Sequence, residues 1–174
     1  FTKCTIDVDL KLVGDRQASY KLISPHGDEV ASGESSSGKI KIKFDNPVLW
    51  SDEIPKLYSL ILDVADETVL VKVGIKDLTI KNSILYLNGQ KIKIRGVNRH
   101  DSHPTLGHTT PVDHMLEDLY ILKRHNVNAI RTSHYPNDPR FLEMCDDLGF
   151  LVIDEADLEA HGLQWSIEDS DRME

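Results

Sequence analysis

Polar and apolar residues alternate along much of the first 80 positions of the chain. Four segments show this period of two, which is typical of β-strands with one buried face: residues 5–13, 39–44, 58–64 and 69–75. Turn-forming residues cluster between them, at positions 24–28, 33–38 and 51–55. Several short strands with frequent turns and no helical pattern predict a small antiparallel sandwich of the immunoglobulin type over residues 1–80.

The pattern changes in the second segment, residues 81–174. It opens with a predicted hairpin, because Asn88-Gly89 separates two apolar-rich stretches and this dipeptide favours the positive φ angles of a tight turn. Beyond it, helical spacing of apolar residues alternates with short apolar runs. The predicted elements are helices over 111–125 and 139–148 and strands over 127–132 and 150–153.

Strand, helix, strand, helix, strand is the order of a parallel α/β sheet. Residues 150–153 are all apolar, which is typical of a strand covered on both faces. The chain nevertheless ends soon after this strand, which would leave apolar surface and unpaired backbone exposed. The sheet is therefore expected to be completed by another chain or to be the start of a larger fold.

Composition excludes several classes of protein. The chain carries 20 basic and 29 acidic residues and a net charge of −9, which disfavours binding to nucleic acid. No apolar run approaches the roughly 20 residues that cross a bilayer, so no membrane association is expected. The N-terminus lacks a signal-peptide pattern and an initiator Met, and the chain is expected to begin partway through a longer one. Cys4 and Cys145 are interpreted as reduced thiols of a cytoplasmic protein, with one long-range disulfide as the alternative.

Polar residues that could take part in catalysis or binding follow each of the three predicted strands of the parallel sheet. Functional groups of such sheets gather at the carboxyl ends of the strands. Each of the three stretches combines histidine with an acid, an arginine or an amide: residues 95–104, 131–136 and 154–162. Three such ends in succession indicate a site.

Single residues in these stretches leave alternatives open. Glu159 and His161 could share one side of an extended segment and bind a divalent cation, but two ligands do not complete a site. Asp154-Glu155 could cap the strand end or pair with Arg131, and Arg131 could serve a carboxylate or a ligand equally well. Trp50 is interpreted as sandwich packing rather than a sugar platform. Four histidines are interpreted as ordinary surface residues: His26, His108, His114 and His125.

Three motifs resemble the family 2 glycoside hydrolases, most closely the large β-galactosidases. They are IRGVNRH at 94–100, NAIRTSHYPN at 128–137 and DEADLEAHG at 154–162, and residues 46–58 resemble the family's sandwich domain just before its barrel. The resemblance implies an immunoglobulin-like sandwich followed by the first three β/α units of a TIM (β/α)8 barrel. Within the family, β-glucuronidases resemble the first two motifs but lack the Glu-x-His-Gly element and carry Lys in place of Arg99.

The resemblance also implies roles for individual residues. His100 and His134 would bind the galactosyl group through its hydroxyls, and Arg131 would support the nucleophilic carboxylate. Glu159 and His161, with a further Glu that this chain lacks, would bind Mg²⁺, and Na⁺ is a possible second ion with no identifiable ligand here. Asp157 stands where the relatives carry Asn, so its role stays open.

A retaining β-glycosidase needs two carboxylates about 5–5.5 Å apart, an acid/base and a nucleophile. Neither of the family's motifs for them occurs in these residues, so the chain alone is expected to be inactive and to need the remainder of the enzyme. The expected parent enzyme hydrolyses terminal β-D-galactosyl residues by double displacement and forms a homo-oligomer. The alternatives are a stand-alone carbohydrate-binding or scaffold module, or part of a β-glucuronidase or β-mannosidase.

Overall fold

A computed structural model describes residues 1–13 and 17–158 of the chain. These residues form two compact units, each of which has its own sheet structure. The first unit comprises residues 1–94 together with 143–149. The second comprises residues 95–142 and 150–158. The domain boundary predicted between residues 80 and 81 stays a prediction.

The first unit contains the sandwich. Its six sandwich strands are β1 (Lys3–Asp9), β2 (Ala18–Ile23), β3 (Glu29–Ser35), β4 (Lys39–Asp45), β5 (Tyr58–Val64) and β6 (Glu67–Val73). Four of them form an antiparallel sheet in the order β3-β2-β5-β6, and β1 pairs with β4 in a second, two-stranded sheet. The predicted antiparallel sandwich is therefore confirmed.

Apolar side chains from both sheets make the core of the sandwich. Ile40 and Ile42 of β4 are buried with Leu22 of β2 and with Leu60 and Leu62 of β5. In β4 every second residue is buried and the lysines between them are exposed, as the alternating pattern predicts. The hydrophobic effect thus fixes which face of each sheet points inward.

The local pattern of polar and apolar residues predicted β4 and β5 well but did not predict β2 and β3. β2 and β3 were not predicted, because the mixed polar sequence of β2 and the small polar residues of β3 carry weak strand signals. Their strand structure comes from pairing, since β2 lies between β3 and β5 in the sheet. The predicted first strand was too long: β1 ends at Asp9, and the next residue, Leu10, donates its N–H to the carbonyl of Gly38 in the turn before β4.

The predicted hairpin is confirmed. Strands β7 (Leu78–Lys81), β8 (Ile84–Leu87) and β9 (Gln90–Lys91) form a three-stranded antiparallel sheet. Asn88 and Gly89 connect β8 to β9 with φ angles of 52° and 76°, the positive values that a two-residue hairpin turn of this kind needs. The strand after the turn, β9, has two residues.

Trp50 is a packing residue, as predicted. Its side chain is 1% exposed, and its indole Nε1 donates to the carbonyl of Asp146 at 2.8 Å. A Cβ placed on Gly74 would lie 3.3 Å from the indole ring, so this glycine lets the backbone approach the tryptophan closely. Trp50 therefore ties segment 143–149 to the rest of the first unit.

The second unit contains a three-stranded parallel sheet in the order β10-β11-β12. Its elements are β10 (Gly96–Arg99), α1 (Val112–Arg124), β11 (Ala129–Thr132), α2 (Pro139–Leu148), whose last six residues belong to the first unit, and β12 (Leu151–Ile153). The predicted alternation of strand and helix is confirmed. β11 is central, and Ala129 and Ile130 are almost fully buried.

Two predictions for this sheet need correction. The stretch beginning at Arg95 was expected to follow the first strand, but residues 96–99 form that strand, β10, because they pair in parallel with β11. The apolar run that becomes β12 was expected to be covered on both faces. β12 lies at the edge of the sheet instead, and Ile153 is 50% exposed. This exposure agrees with the expectation of an incomplete sheet.

Two further features bear on the sequence-based expectations. Neither of the two helices in the described residues has the length and apolar character that crossing a membrane requires. Cys4 and Cys145 are not joined by a disulfide, as their interpretation as reduced thiols predicts. Burial of the half-buried Cys4 raises the pKa of its thiol above the usual value.

Candidate active site

The ends of β10 and β11 bring together three of the residues predicted to form the site. His100 directly follows β10, Arg131 lies in β11, and His134 follows β11 by two residues. The imidazole rings of His100 and His134 meet edge to face, with centroids 5.3 Å apart and an interplanar angle of 76°. Because the two strands are parallel neighbours, their carboxyl ends place the two histidines side by side.

The end of β12 adds a carboxylate to this group. Arg131 donates from Nε to Oε1 of Glu155 at 2.5 Å and from Nη2 to Nδ1 of His134 at 3.2 Å. Oε2 of Glu155 lies 3.4 Å from the same nitrogen of His134. Of the two roles considered for Glu155, the structure shows the ion pair with Arg131.

A buried hydroxyl anchors the backbone beneath this ion pair. The Thr132 hydroxyl, whose residue is fully buried, accepts a hydrogen bond from the Glu155 N–H at 3.1 Å and donates to Oδ1 of Asp154 at 3.0 Å. Thr132 thereby fixes the start of the segment after β12 to the end of β11. The next peptide bond but one, Ser133–His134, is cis.

Arg99 forms a second, more deeply buried polar cluster in the same unit. Its side chain is 6% exposed. Nε donates to Asp118 Oδ2 at 3.0 Å, and one terminal nitrogen, Nη1, donates to Asp101 Oδ1 at 2.7 Å and to Asn137 Oδ1 at 3.2 Å. The guanidinium also lies over the ring of Phe141, 4.3 Å from its centroid. Arg99 thus joins β10 to α1 and to the segment that precedes α2.

Tyr135 supports the loop that follows His100. Its hydroxyl accepts a hydrogen bond from the Asp101 N–H at 3.0 Å, and its ring lies 6.2 Å from that of His100 and 6.1 Å from that of His108. His108, predicted as an ordinary surface residue, is exposed and bonds through Nδ1 to the Asp101 carbonyl. The sequence signal for Tyr135 was its position between His134 and Pro136, but nothing in the sequence identified its partner.

Residues of β10 and α1 line a cavity of about 400 Å³ in the second unit. Arg99, His100, His114 and Asp118 contribute polar groups to its wall. Arg131, His134 and Glu155 do not line it. His100 thus lies both in the wall of this cavity and in the group of side chains at the strand ends.

Glu159 and His161, the predicted metal ligands, lie outside the described residues. Within residues 1–13 and 17–158, no three His, Cys, Asp or Glu side chains are grouped so that they could hold a metal ion. The metal site stays a prediction. Asp157 lies within the described residues and is exposed.

Comparison with known protein families shows the family to which the chain belongs. Residues 2–76 match the family described as glycosyl hydrolases family 2, and residues 78–173 match the TIM barrel domain of the same family. The chain therefore belongs to glycosyl hydrolase family 2. The predicted order of an immunoglobulin-like sandwich and the first β/α units of a TIM barrel is confirmed by these matches.

Two bacterial relatives illustrate the similarity in sequence. The chain is 46% identical over 161 residues to a β-galactosidase of Staphylococcus xylosus, which covers 91% of the chain. It is 42% identical over 172 residues to a β-galactosidase of Streptococcus thermophilus, which covers 90% of it. In both comparisons the chain spans 16% of the relative's length.

Solved structures of two β-glucuronidases share the fold. A β-glucuronidase of Parabacteroides merdae with glycerol in its active site matches 83% of the chain with a TM-score of 0.77 and 28% identity, and the match covers 20% of that protein. A β-glucuronidase of Bacteroides uniformis matches 87% of the chain with a TM-score of 0.80 and 28% identity, again over 20% of its length. Sequence identity is thus higher to the β-galactosidases than to these β-glucuronidases.

Proposed function

We propose that this chain is part of a retaining β-galactosidase that hydrolyses terminal non-reducing β-D-galactosyl residues, with lactose as the type of substrate. The observation that carries the proposal is the grouping of His100, Arg131, His134 and Glu155 at the ends of neighbouring parallel strands. The sequence identity of 38–47% to β-galactosidases supports the choice of sugar. The β-glucuronidase, β-mannosidase and binding-module alternatives are not better supported.

The proposed chemistry divides between this chain and the rest of the enzyme. His100 and His134 bind hydroxyls of the galactosyl group and do so more strongly as the ring flattens towards the oxocarbenium-like transition state. Arg131, already paired with Glu155, adds positive charge at the position where the resemblance places the nucleophilic carboxylate. The nucleophile and the acid/base come from the remainder of the enzyme chain, so the isolated chain is expected to be inactive.

Glu159 and His161 are proposed as two ligands of Mg²⁺, with a third carboxylate from outside this chain. Carboxylate oxygen suits this hard cation, and imidazole can complete the set when further oxygens or waters are present. When bound, the ion would adjust the acidity of the nearby acid/base carboxyl. Assistance by Na⁺, assembly into a homo-oligomer and a cytoplasmic location belong to the same proposal.

The test is hydrolysis by the full-length protein of matched aryl β-galactoside, β-glucuronide and β-mannoside substrates. The expected result is preferential turnover of the galactoside with retention of anomeric configuration. NMR identifies the anomer of the first product formed. Preferential turnover of the glucuronide would overturn the proposed sugar, and inversion would overturn the double displacement. The isolated chain should show no turnover, and turnover that Glu155→Gln or Glu159→Gln abolishes would contradict the assignment of catalysis to the rest of the enzyme.

A further inference from the structure

The Glu155 carboxylate lies against both Arg131 and His134. Oε1 accepts the hydrogen bond from Arg131 Nε, while Oε2 lies 3.4 Å from His134 Nδ1. The side chain is 23% exposed, so the interaction is partly shielded from solvent. A single carboxylate therefore constrains two neighbouring functional groups.

The hydrogen bond between Arg131 and His134 has a defined donor and a defined acceptor. A guanidinium can only donate, so Nδ1 of His134 acts as the acceptor of the 3.2 Å bond from Arg131 Nη2. The orientation of the His134 ring consequently depends on where Arg131 is held.

Arg131 is held through its Nε by Glu155, and Glu155 is held by the backbone. The Thr132 hydroxyl accepts a hydrogen bond from the Glu155 N–H and donates one to the Asp154 carboxylate. The start of the segment after β12 therefore has a defined position relative to β11. Arg131 is 35% exposed on a long flexible side chain, and without the Glu155 carboxylate it would lose its orienting partner.

We infer that Glu155 is a positioning residue of this active site: it orients Arg131, and through Arg131 it sets the direction in which His134 meets the substrate. The inference deepens the proposed function and depends on it. Glu155 touches neither the substrate nor the reacting atoms in this role. A misplacement of about 1 Å in such a group can cost on the order of 100-fold in rate.

The experiment uses the full-length protein and an aryl β-galactoside. Glu155→Gln removes the charge with little change of shape and is expected to lower kcat by about 10- to 100-fold with a smaller change in KM. Glu155→Asp keeps the carboxylate but shortens its reach and should recover part of that loss. The matched control is Asp147→Asn, which removes the carboxylate of the Lys72 ion pair in the first unit and is expected to leave kcat unchanged.

A double-variant cycle separates positioning from a general structural effect. If Glu155 acts through Arg131, adding Glu155→Gln to Arg131→Lys should lower kcat by less than about 3-fold, because the guanidinium geometry is already lost. The inference would be overturned if the kcat losses of Glu155→Gln and Arg131→Lys multiplied fully in the double variant. It would also be overturned if Glu155→Gln and Asp147→Asn lowered kcat equally. If Glu155→Gln left turnover unchanged, only the positioning role of Glu155 would be overturned. If the unaltered protein showed no turnover, the proposed function would be overturned as well.

Discussion

The imidazole rings of His100 and His134 lie edge to face with their centroids 5.3 Å apart. The two residues belong to different motifs of the sequence, one after β10 and one after β11. Parallel pairing of these strands, with Asn98 opposite Arg131 and Arg99 opposite Thr132, makes the two strand ends coincide. The two imidazole rings therefore lie side by side at the carboxyl end of the sheet.

The first prediction concerns these histidines in the full-length protein. His134→Ala and His100→Ala should each lower kcat/KM for an aryl β-galactoside by about 10- to 100-fold, because a hydrogen bond strengthened in the transition state is removed. Steady-state kinetics measures this. The exposed His125, at the end of α1, supplies the control: His125→Ala should leave kcat/KM unchanged, and an equal loss there would contradict the assignment.

Arg99 should be important for the stability of the second unit. Arg99→Met leaves the partly exposed carboxylates of Asp101 and Asp118 without their buried cationic partner, so the cost should approach the lower end of the about 3–5 kcal/mol that breaking a fully buried pair costs. Arg99→Lys should cost less, because the charge remains while the planar set of donors is lost. Urea unfolding of the chain gives both free energies.

The control for Arg99 is an exposed ion pair in the same unit. Arg140 pairs with Asp138 at 2.6 Å, but its side chain is 62% exposed, so Arg140→Met should change stability little. If the two arginine variants were equally stable, the buried cluster around Arg99 would not be the stabilising feature that its contacts indicate.

Replacement of Trp50 should destabilise the first unit. Trp50→Phe removes the hydrogen bond to the Asp146 carbonyl and leaves unfilled volume beside Gly74, which together cost about 1–3 kcal/mol. Thermal or urea unfolding, followed by circular dichroism, measures the loss. Tyr120→Phe, at a side chain that is 46% exposed, should stay within about 0.5 kcal/mol of the unaltered chain. Equal stabilities of the two variants would contradict the role of Trp50.

Asp146 should make stability depend on pH in an unusual direction. Burial raises the pKa of its carboxyl above the ordinary 3.8, a shift that the positive charge of Lys76 opposes. Because the folded chain holds this proton more tightly than the unfolded chain, the ionised group destabilises the fold above the folded pKa. The penalty disappears as the pH falls through the folded pKa towards 3.8. Asp146→Asn should therefore be more stable than the unaltered chain at pH 7 and lose that advantage in acid.

Asp138 provides a comparison of opposite sign. Hydrogen bonds from the side chain and backbone of Arg140 lower the pKa of its carboxyl to about 2. Its contribution is present above the unfolded value of 3.8 and is lost as the pH falls through about 2. Asp138→Asn should thus be slightly less stable than the unaltered chain at pH 7, by no more than the small amount expected of an exposed ion pair. Parallel pH profiles of unfolding for the two variants would contradict both assignments.

Hydrogen exchange should distinguish the two parts of the chain. Within the residues that the structure describes, the parallel sheet has three strands, β12 is at its edge, and Ile153 and Leu158 are 50% and 79% exposed. We expect amides beyond residue 95 to exchange faster than those of residues 1–80 in the monomeric chain, because less apolar area offsets the entropy of ordering. Mass spectrometry after deuterium labelling measures this, once sedimentation has established the monomer. Uniform protection would contradict the incomplete barrel.

Local sequence was sufficient where one face of an element is buried. The alternating residues of β4 and β5 and the apolar spacing of α2 specify strand and helix because period two and period 3.6 each gather apolar side chains on one face. The same reasoning missed β2 and β3, whose side chains give no clear period. Their strand structure depends on hydrogen bonds to neighbours elsewhere in the chain.

The motifs around His100, Arg131 and His134 were identifiable from the sequence, because histidine and arginine at successive strand ends are unusual groups for a merely solvated loop. The partners of these residues were not. Glu155 could have capped its strand or paired with Arg131, and the buried partners of Arg99 were not predicted at all. Such pairings depend on distances of about 3 Å between residues far apart in sequence, which no local period specifies.

By itself, the sequence determined the order of a sandwich, a hairpin and alternating β/α units, since each follows from the periodicity and turn residues of a short segment. Only the tertiary structure decided that residues 96–99 are a strand rather than the loop after one, and that Glu155 faces both Arg131 and His134. The physical reason is the parallel register: pairing of β10 with β11 and of β11 with β12 sets which side chains meet at the sheet edge. That register is fixed by hydrogen bonds between strands and by burial of the central strand, and both come into existence only when the chain folds.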